Sequence, residues 1–161
     1  MLFMFTFIQK YINMMVIIGV NMRITTRGRY ALRATLALAK IGKDGAPVSI
    51  TSLSEEEQIS SVFLEQIFYK LRKAGIVSSV RGPGGGFYFA QPLEKLTIKK
   101  ILDAAGEDLN LTSCDKHTKD CSRIGMCLTH AVWAEVTDLI NNYFSNITLA
   151  AILEKDERGK K

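Results

Sequence analysis

The sequence predicts a mainly α-helical fold carrying one small β-hairpin. Three observations lead there. Apolar residues recur at helical spacing over five stretches. A glycine-rich turn, Arg81-Gly82-Pro83-Gly84-Gly85-Gly86, separates two short runs rich in β-formers. Three of the helical stretches precede that hairpin, and this order is that of a winged helix-turn-helix domain. At 161 residues, 47% hydrophobic and 23% charged, the chain is of ordinary one-domain size, and collagen-like, mucin-like and wholly disordered classes are excluded.

The first helix is expected over Thr26–Ile41, with Tyr30, Ala31, Ala34, Leu38 and Ile41 on its apolar face and Arg27, Arg29 and Arg33 elsewhere. Gly42 and Lys43-Asp44-Gly45-Ala46-Pro47 end it. Ile50, Leu53 and the acidic run Glu55–Glu57 make a short second helix. After a break at Gln58–Ile59, Ser60 or Ser61 can cap a third helix, because a hydroxyl satisfies an orphan backbone N–H. Phe63, Leu64, Ile67, Phe68 and Leu71 line its inner face, Glu65, Gln66, Tyr69, Lys70 and Lys73 remain on or near the outer one, and Gly75 stops it. Ile76–Val80 and Phe87–Ala90 are the hairpin strands. The glycines lead into a strand rather than a helix and no Gly-Lys-Ser/Thr follows, so they form a wing turn and not a phosphate cradle.

Thr97–Ala105 reads as a short helix, residues 106–125 as a polar loop, and Leu128–Ile147 as a long helix. The apolar stripe of that helix, Val132, Trp133, Val136, Leu139, Ile140, Tyr143, Phe144 and Ile147, is too wide for a solvated surface. A second copy of the chain is its expected partner, since helix-turn-helix proteins read two half-sites as dimers. The expected organisation is therefore a winged helix-turn-helix domain over 22–93, a connecting helix and cluster-binding loop over 94–127, a dimerisation helix and C-terminal segment over 128–153, and a charged, frayed tail over 154–161. Residues 1–21 are apolar, but the uncharged run Tyr11–Met22 is shorter than the ~20 residues that span a bilayer. They lack a small-residue cleavage site and read as an upstream-start extension ahead of Met22, with no membrane role.

Charge is uneven. Residues 22–100 hold 13 Lys/Arg against 6 Asp/Glu, whereas residues 101–161 hold 7 against 10. The basic surplus coincides with the helix-turn-helix, so duplex DNA is the expected partner there. Cys114, Cys121 and Cys127 form an odd, clustered set, which is a poor disulfide framework and suits reduced thiols in the cytoplasm. With His130 one turn beyond Cys127, they can supply a four-ligand set for an iron–sulfur cluster or zinc. Zinc usually takes paired Cys-x2–4-Cys knuckles, which are missing, and a cluster tolerates wider gaps. His117 is the competing fourth ligand, and Asp115 and Asp120 could offer oxygen but are expected to be solvated.

The segments MRITTRGRYA, FLEQIFYKLRKAGIVSSVRGPGGG, CLTHAVW and NNYFSNITL together resemble the IscR-type iron–sulfur cluster regulators, a branch of the winged-helix repressors. The resemblance runs from Met22 to about Leu153. It implies a homodimeric bacterial transcriptional repressor with one [2Fe–2S] cluster per subunit, held by Cys114, Cys121, Cys127 and His130 and obtained from the iron–sulfur assembly machinery whose genes it controls. It also implies a DNA face built from Arg29, Tyr30, Ser60, Glu65, Gln66 and Arg81, to which Arg27, Ser61 and Lys70 are adjoining candidates. Two departures stand out: a six-residue first cysteine gap in place of five, and Val62 where a small polar residue is common. A nitric-oxide- or redox-sensing repressor and a zinc-binding regulator are the alternatives. No paired acid–base or nucleophile constellation supports an enzyme.

Overall fold

The computed structural model describes residues 24–112, 121, 123 and 125–159. One body comprises Ile24–Leu109 and Asp138–Lys161, and residues 110–137 fall in a second unit. The elements are α1 (Thr26–Ile41), α2 (Ile50–Glu57), α3 (Ser61–Lys73), β1 (Val77–Val80), β2 (Gly86–Phe89), α4 (Ile98–Ala105), α5 (His130–Asn146) and α6 (Leu149–Gly159). Single 3-10 turns at Lys43–Gly45 and Leu93–Lys95 punctuate the connections. The apolar N-terminal extension lies outside the described residues.

Helix starts follow hydroxyl chemistry. The side chains of Thr25, Ser49, Ser60 and Thr97 accept from Gly28 N, Ser52 N, Phe63 N and Lys100 N, and Thr148 accepts from Ala151 N at 3.1 Å. Each satisfies a donor the helix cannot pair internally. Gln58 ends α2 in the left-handed region (φ 54°), and its side chain donates to Glu55 O at 2.7 Å. The break between α2 and α3 is thereby held as a tight turn.

The core is one large cluster beside a smaller one of Ile98, Leu102 and Leu109, and the large one joins all the helices but α5. Ala31, Ala34, Ala37 and Leu38 of α1, Leu53 of α2, Leu64, Ile67, Phe68 and Leu71 of α3, Val77 of β1, Ile101 and Ala105 of α4 and Leu149 of α6 are all buried in it. The alanines let α1 lie close to α2, α3 and α4, which it contacts in turn. Phe63, expected on the same inner face, is half-buried against this cluster.

The wing is an antiparallel pair, Val77↔Phe89 through Val80↔Gly86. Val48 adds a one-residue rung, exchanging backbone bonds with Phe87 at 2.9 and 2.8 Å. Its turn closes with Gly85 N donating to Gly82 O at 2.9 Å. Pro83 sits at the position whose φ it presets, and Gly84 follows at φ 73°, a conformation that disfavours side chains.

The C-terminal region differs from expectation in two places. The long helix begins at His130, and it ends at Asn146 so that Ile147 and Leu149 can bond to the entry of α4: Ile98 N donates to Ile147 O at 2.9 Å and Leu149 N to Leu96 O at 2.8 Å. The described part of the tail, expected to be frayed, is helical, and α6 continues to Gly159. Lys40 of α1 pairs with Asp156 at 2.9 Å and Arg158 with Glu154 at 3.6 Å, while Ile152 packs against the cluster of Ile98, Leu102 and Leu109. The hydrogen bond and charge of Asp156 raise the Lys40 pKa above 10.5. The pair therefore stabilises fully below the ordinary lysine value and is lost as pH rises through the raised one. Thermal unfolding of Lys40→Met is expected to differ slightly from wild type at pH 7, the difference shrinking above pH 10.5.

Candidate nucleic-acid interface and metal centre

Three elements present the candidate DNA face. On α3 the buried set Leu64, Ile67, Phe68 and Leu71 turns the opposite strip outward, leaving Val62, Gln66, Tyr69 and Lys73 exposed at i, i+4, i+7 and i+11. Ser61 and Glu65 are exposed beside this strip, and Ser60 is exposed as the helix cap, its Oγ 3.2 Å from Phe63 N. Arg81 is exposed at the wing turn. Arg29 on α1 is exposed and reaches Thr26 Oγ1 at 3.3 Å.

Tyr30 does a structural job as well. Its ring meets Phe63 edge-on, centroids 5.8 Å apart at 88°, and the Arg33 guanidinium lies 5.4 Å over it. Arg33 in turn bonds Glu57 through its carboxylate at 2.8 Å and its carbonyl at 2.6 Å. The first turn of α3 is thus fixed to α1 by an aromatic contact, and the end of α2 is fixed to α1 by an ion pair.

Arg27 and Lys70 turn to the C-terminus of α4. Lys70 Nζ donates to Ala105 O at 3.3 Å, and Arg27 Nη2 donates to Gly106 O at 3.1 Å. Cations at a helix C-terminus offset its unpaired carbonyls. Glu107 completes this junction. Its side chain is 2% exposed, accepts from Thr25 N at 2.8 Å and Thr25 Oγ1 at 2.5 Å, and lies 3.9 Å from Arg27 Nε. Gly28 makes room for it, since a Cβ there would fall 2.5 Å from Glu107 Cγ. Sequence reasoning missed Glu107: an acid following a helix-ending glycine carries no distinctive pattern, and the only hint was Gly28 inside an otherwise helical run.

The candidate metal ligands are partly described. Cys121 and Cys127 are free thiols, each half-buried. The Thr129 hydroxyl lies 3.3 Å from Cys127 Sγ, and its hydrogen bond, ahead of the backbone of Thr129 and His130 and the charge of Arg123, lowers the Cys127 pKa and favours thiolate. His130 opens α5, its backbone donating to Cys127 O at 3.2 Å. Its Nδ1 is buried without a hydrogen-bond partner. Buried nitrogens are normally paired, so a soft thiolate and an orphaned imidazole nitrogen three residues apart suit a metal. Cys114, His117, Asp115 and Asp120 lie outside the described residues. Among the described residues no three His, Cys, Asp or Glu side chains gather as a metal cage, and no helix is long and apolar enough to cross a membrane.

The Rrf2 family, described as "Iron-dependent Transcriptional regulator", matches residues 24–155. The chain belongs to the Rrf2 family. An HTH-type transcriptional regulator of Neisseria meningitidis is 42% identical over 138 residues, covering 86% of this chain and 92% of the relative. IscR of Escherichia coli is 38% identical over 136 residues, covering 84% and 83%. Among solved structures, T. potens IscR superposes with a TM-score of 0.69 at 32% identity, covering 86% of this chain and 91% of its own. CymR, the global cysteine regulator of B. subtilis, superposes with a TM-score of 0.67 at 26% identity, covering 83% and 97%. This Rrf2 protein is accordingly an IscR-type winged-helix transcriptional regulator, and Rrf2 regulators bind DNA rather than catalyse reactions. The mainly helical fold with its hairpin is the one expected from the sequence.

Proposed function

We propose that this Rrf2 protein is a homodimeric, cytoplasmic repressor whose hold on its operator follows the supply of iron–sulfur clusters. One [2Fe–2S] cluster per subunit would be held by Cys114, Cys121, Cys127 and His130, delivered by the iron–sulfur assembly machinery, and the genes for that machinery would be the controlled set. The observation that supports this most is the buried, unpartnered Nδ1 of His130, three residues after Cys127, whose pKa is lowered. A bound cluster supplies a reversible tie between these residues, present only when iron and sulfide are available. Imidazole in place of a fourth thiolate leaves the site one negative charge poorer and binds less tightly. His130→Cys is therefore expected to lengthen cluster half-life in an anaerobic chelator challenge and to change the visible spectrum, while His117→Ala alters neither. The reverse pattern would move the fourth ligand to the loop histidine.

DNA reading follows from the exposed face of α3 and the wing. Gln66 can bond adenine bidentately, Glu65 can accept from cytosine N4, and Arg81 can enter a narrow minor groove. Ser60 and Ser61 at the start of α3 and Arg29 and Tyr30 at the start of α1 would hold phosphates or base edges. Arg27 and Lys70, turned to the end of α4, would act by fixing this face. Gln66→Ala or Arg81→Ala is expected to cost about 1–3 kcal/mol at a cognate operator and little on random DNA; equal losses on both would remove them from the readout. The functional test compares operator affinity of cluster-loaded and chelator-stripped protein, with affinity expected to fall on stripping.

A second reading, thiol redox sensing, is favoured by the same lowered Cys127 pKa, since thiolate is the oxidisable form. Colourless protein whose operator affinity switches reversibly with peroxide and dithiothreitol would select it.

A further inference from the structure

The outer strip of α3 contains an apolar residue that the fold does not use. Val62 is 65% exposed, in the first turn of a helix whose other exposed positions there are Ser61, Glu65 and Gln66. Most large exposed apolar side chains of the described residues lie at or near α5, but Val62 stands on the basic face, with Arg72 and Lys73 further along the same helix. A rigid, branched side chain gains nothing from water there, and β-branching costs helix propensity. Val62 and Gln66 are one turn apart on the strip directly opposite the buried residues, so both are presented to whatever this helix meets.

We infer that Val62 is a specificity-determining residue that reads the C5-methyl group of one thymine in the major groove, next to the base read by Gln66. The inference rests on the proposed role of α3 as the DNA-reading helix. The major groove offers one apolar group, the thymine methyl, and a short aliphatic side chain is its complement. The N-terminal residues of a recognition helix are those that contact base edges, and Val62 is the second residue of α3. Its bulk also excludes water from that edge, whereas a serine there would accept or donate hydrogen bonds and tolerate several bases.

The test begins with selection from a random duplex pool by the full-length, anaerobically purified protein. The recovered site is expected to carry a thymine at a fixed position adjacent to the one whose preference Gln66→Ala relaxes. Replacing that thymine by deoxyuridine removes the methyl group alone and should weaken wild-type binding about fourfold in fluorescence anisotropy. Val62→Ser, at an exposed position and so expected to fold, should bind the thymine and deoxyuridine duplexes equally. Deoxyuridine without effect at every thymine of the site, or an unchanged preference in Val62→Ser, would overturn the assignment while leaving the Gln66 result and the α3 reading intact. Recovery of no preferred sequence would overturn both.

Discussion

Glutamate at both Leu139 and Tyr143 is expected to turn the protein into a monomer by light scattering and to weaken binding to a two-half-site operator by about 100-fold or more, because linked half-sites gain that much from avidity. Leu139 and Tyr143 are 61% and 65% exposed and belong to neither buried cluster, the Tyr143 ring meeting only that of its neighbour Phe144 among the described aromatic contacts. Val132 and Trp133 are exposed on the same helix, and Met126 and Leu128 just before it, whereas Phe144 and Ile147 pack against Ile98, Leu102 and Leu109. An exposed apolar run of this length on one helix is the mark of an interface. Val136 and Ile140, equally apolar in the sequence, are half-buried and are poorer probes. Unchanged circular dichroism should accompany the loss of the dimer; a dimer that persists would place the interface elsewhere.

Glu107→Ala is expected to lower the unfolding free energy by about 1–3 kcal/mol in denaturant titration, since it removes the charge-assisted hydrogen bonds from Thr25 N and Oγ1 and leaves the part-buried Thr25 amide without its acceptor. Glu107→Gln, which keeps the acceptor oxygen, should recover part of the loss. Gly28→Ala should resemble Glu107→Ala, because the added methyl group would occupy the space of the carboxylate side chain. If Glu107→Ala unfolds at the wild-type midpoint, the junction between the start of α1 and the end of α4 contributes nothing.

The parts of the fold legible in the sequence were those written in local chemistry. The hydroxyl cap at Ser60, the apolar spacing of Leu64, Ile67, Phe68 and Leu71, and the Pro83-Gly84 turn each act within a few residues, and each appears where the sequence put it. The missed features depend on contacts across the chain. Glu107 looks like a solvated acid until Thr25, more than eighty positions earlier, closes over it. The tail beyond Glu154 looks frayed until Lys40 reaches Asp156. Arg27 and Lys70 belong by composition to the basic face, and only the position of the α4 C-terminus turns them from it. The candidate metal site is legible as residue types and spacing alone, with Cys127 and His130 adding a lowered thiol pKa and an orphaned nitrogen.

The central claim is that Cys114, Cys121, Cys127 and His130 hold a [2Fe–2S] cluster, and the most direct measurement is the visible spectrum of anaerobically purified protein with iron, acid-labile sulfide and zinc counted per chain. The account predicts coloured protein with iron and sulfide present in equal amounts, and loss of colour in Cys127→Ala. Colourless protein holding stoichiometric zinc, or colour unchanged in Cys127→Ala, would contradict it.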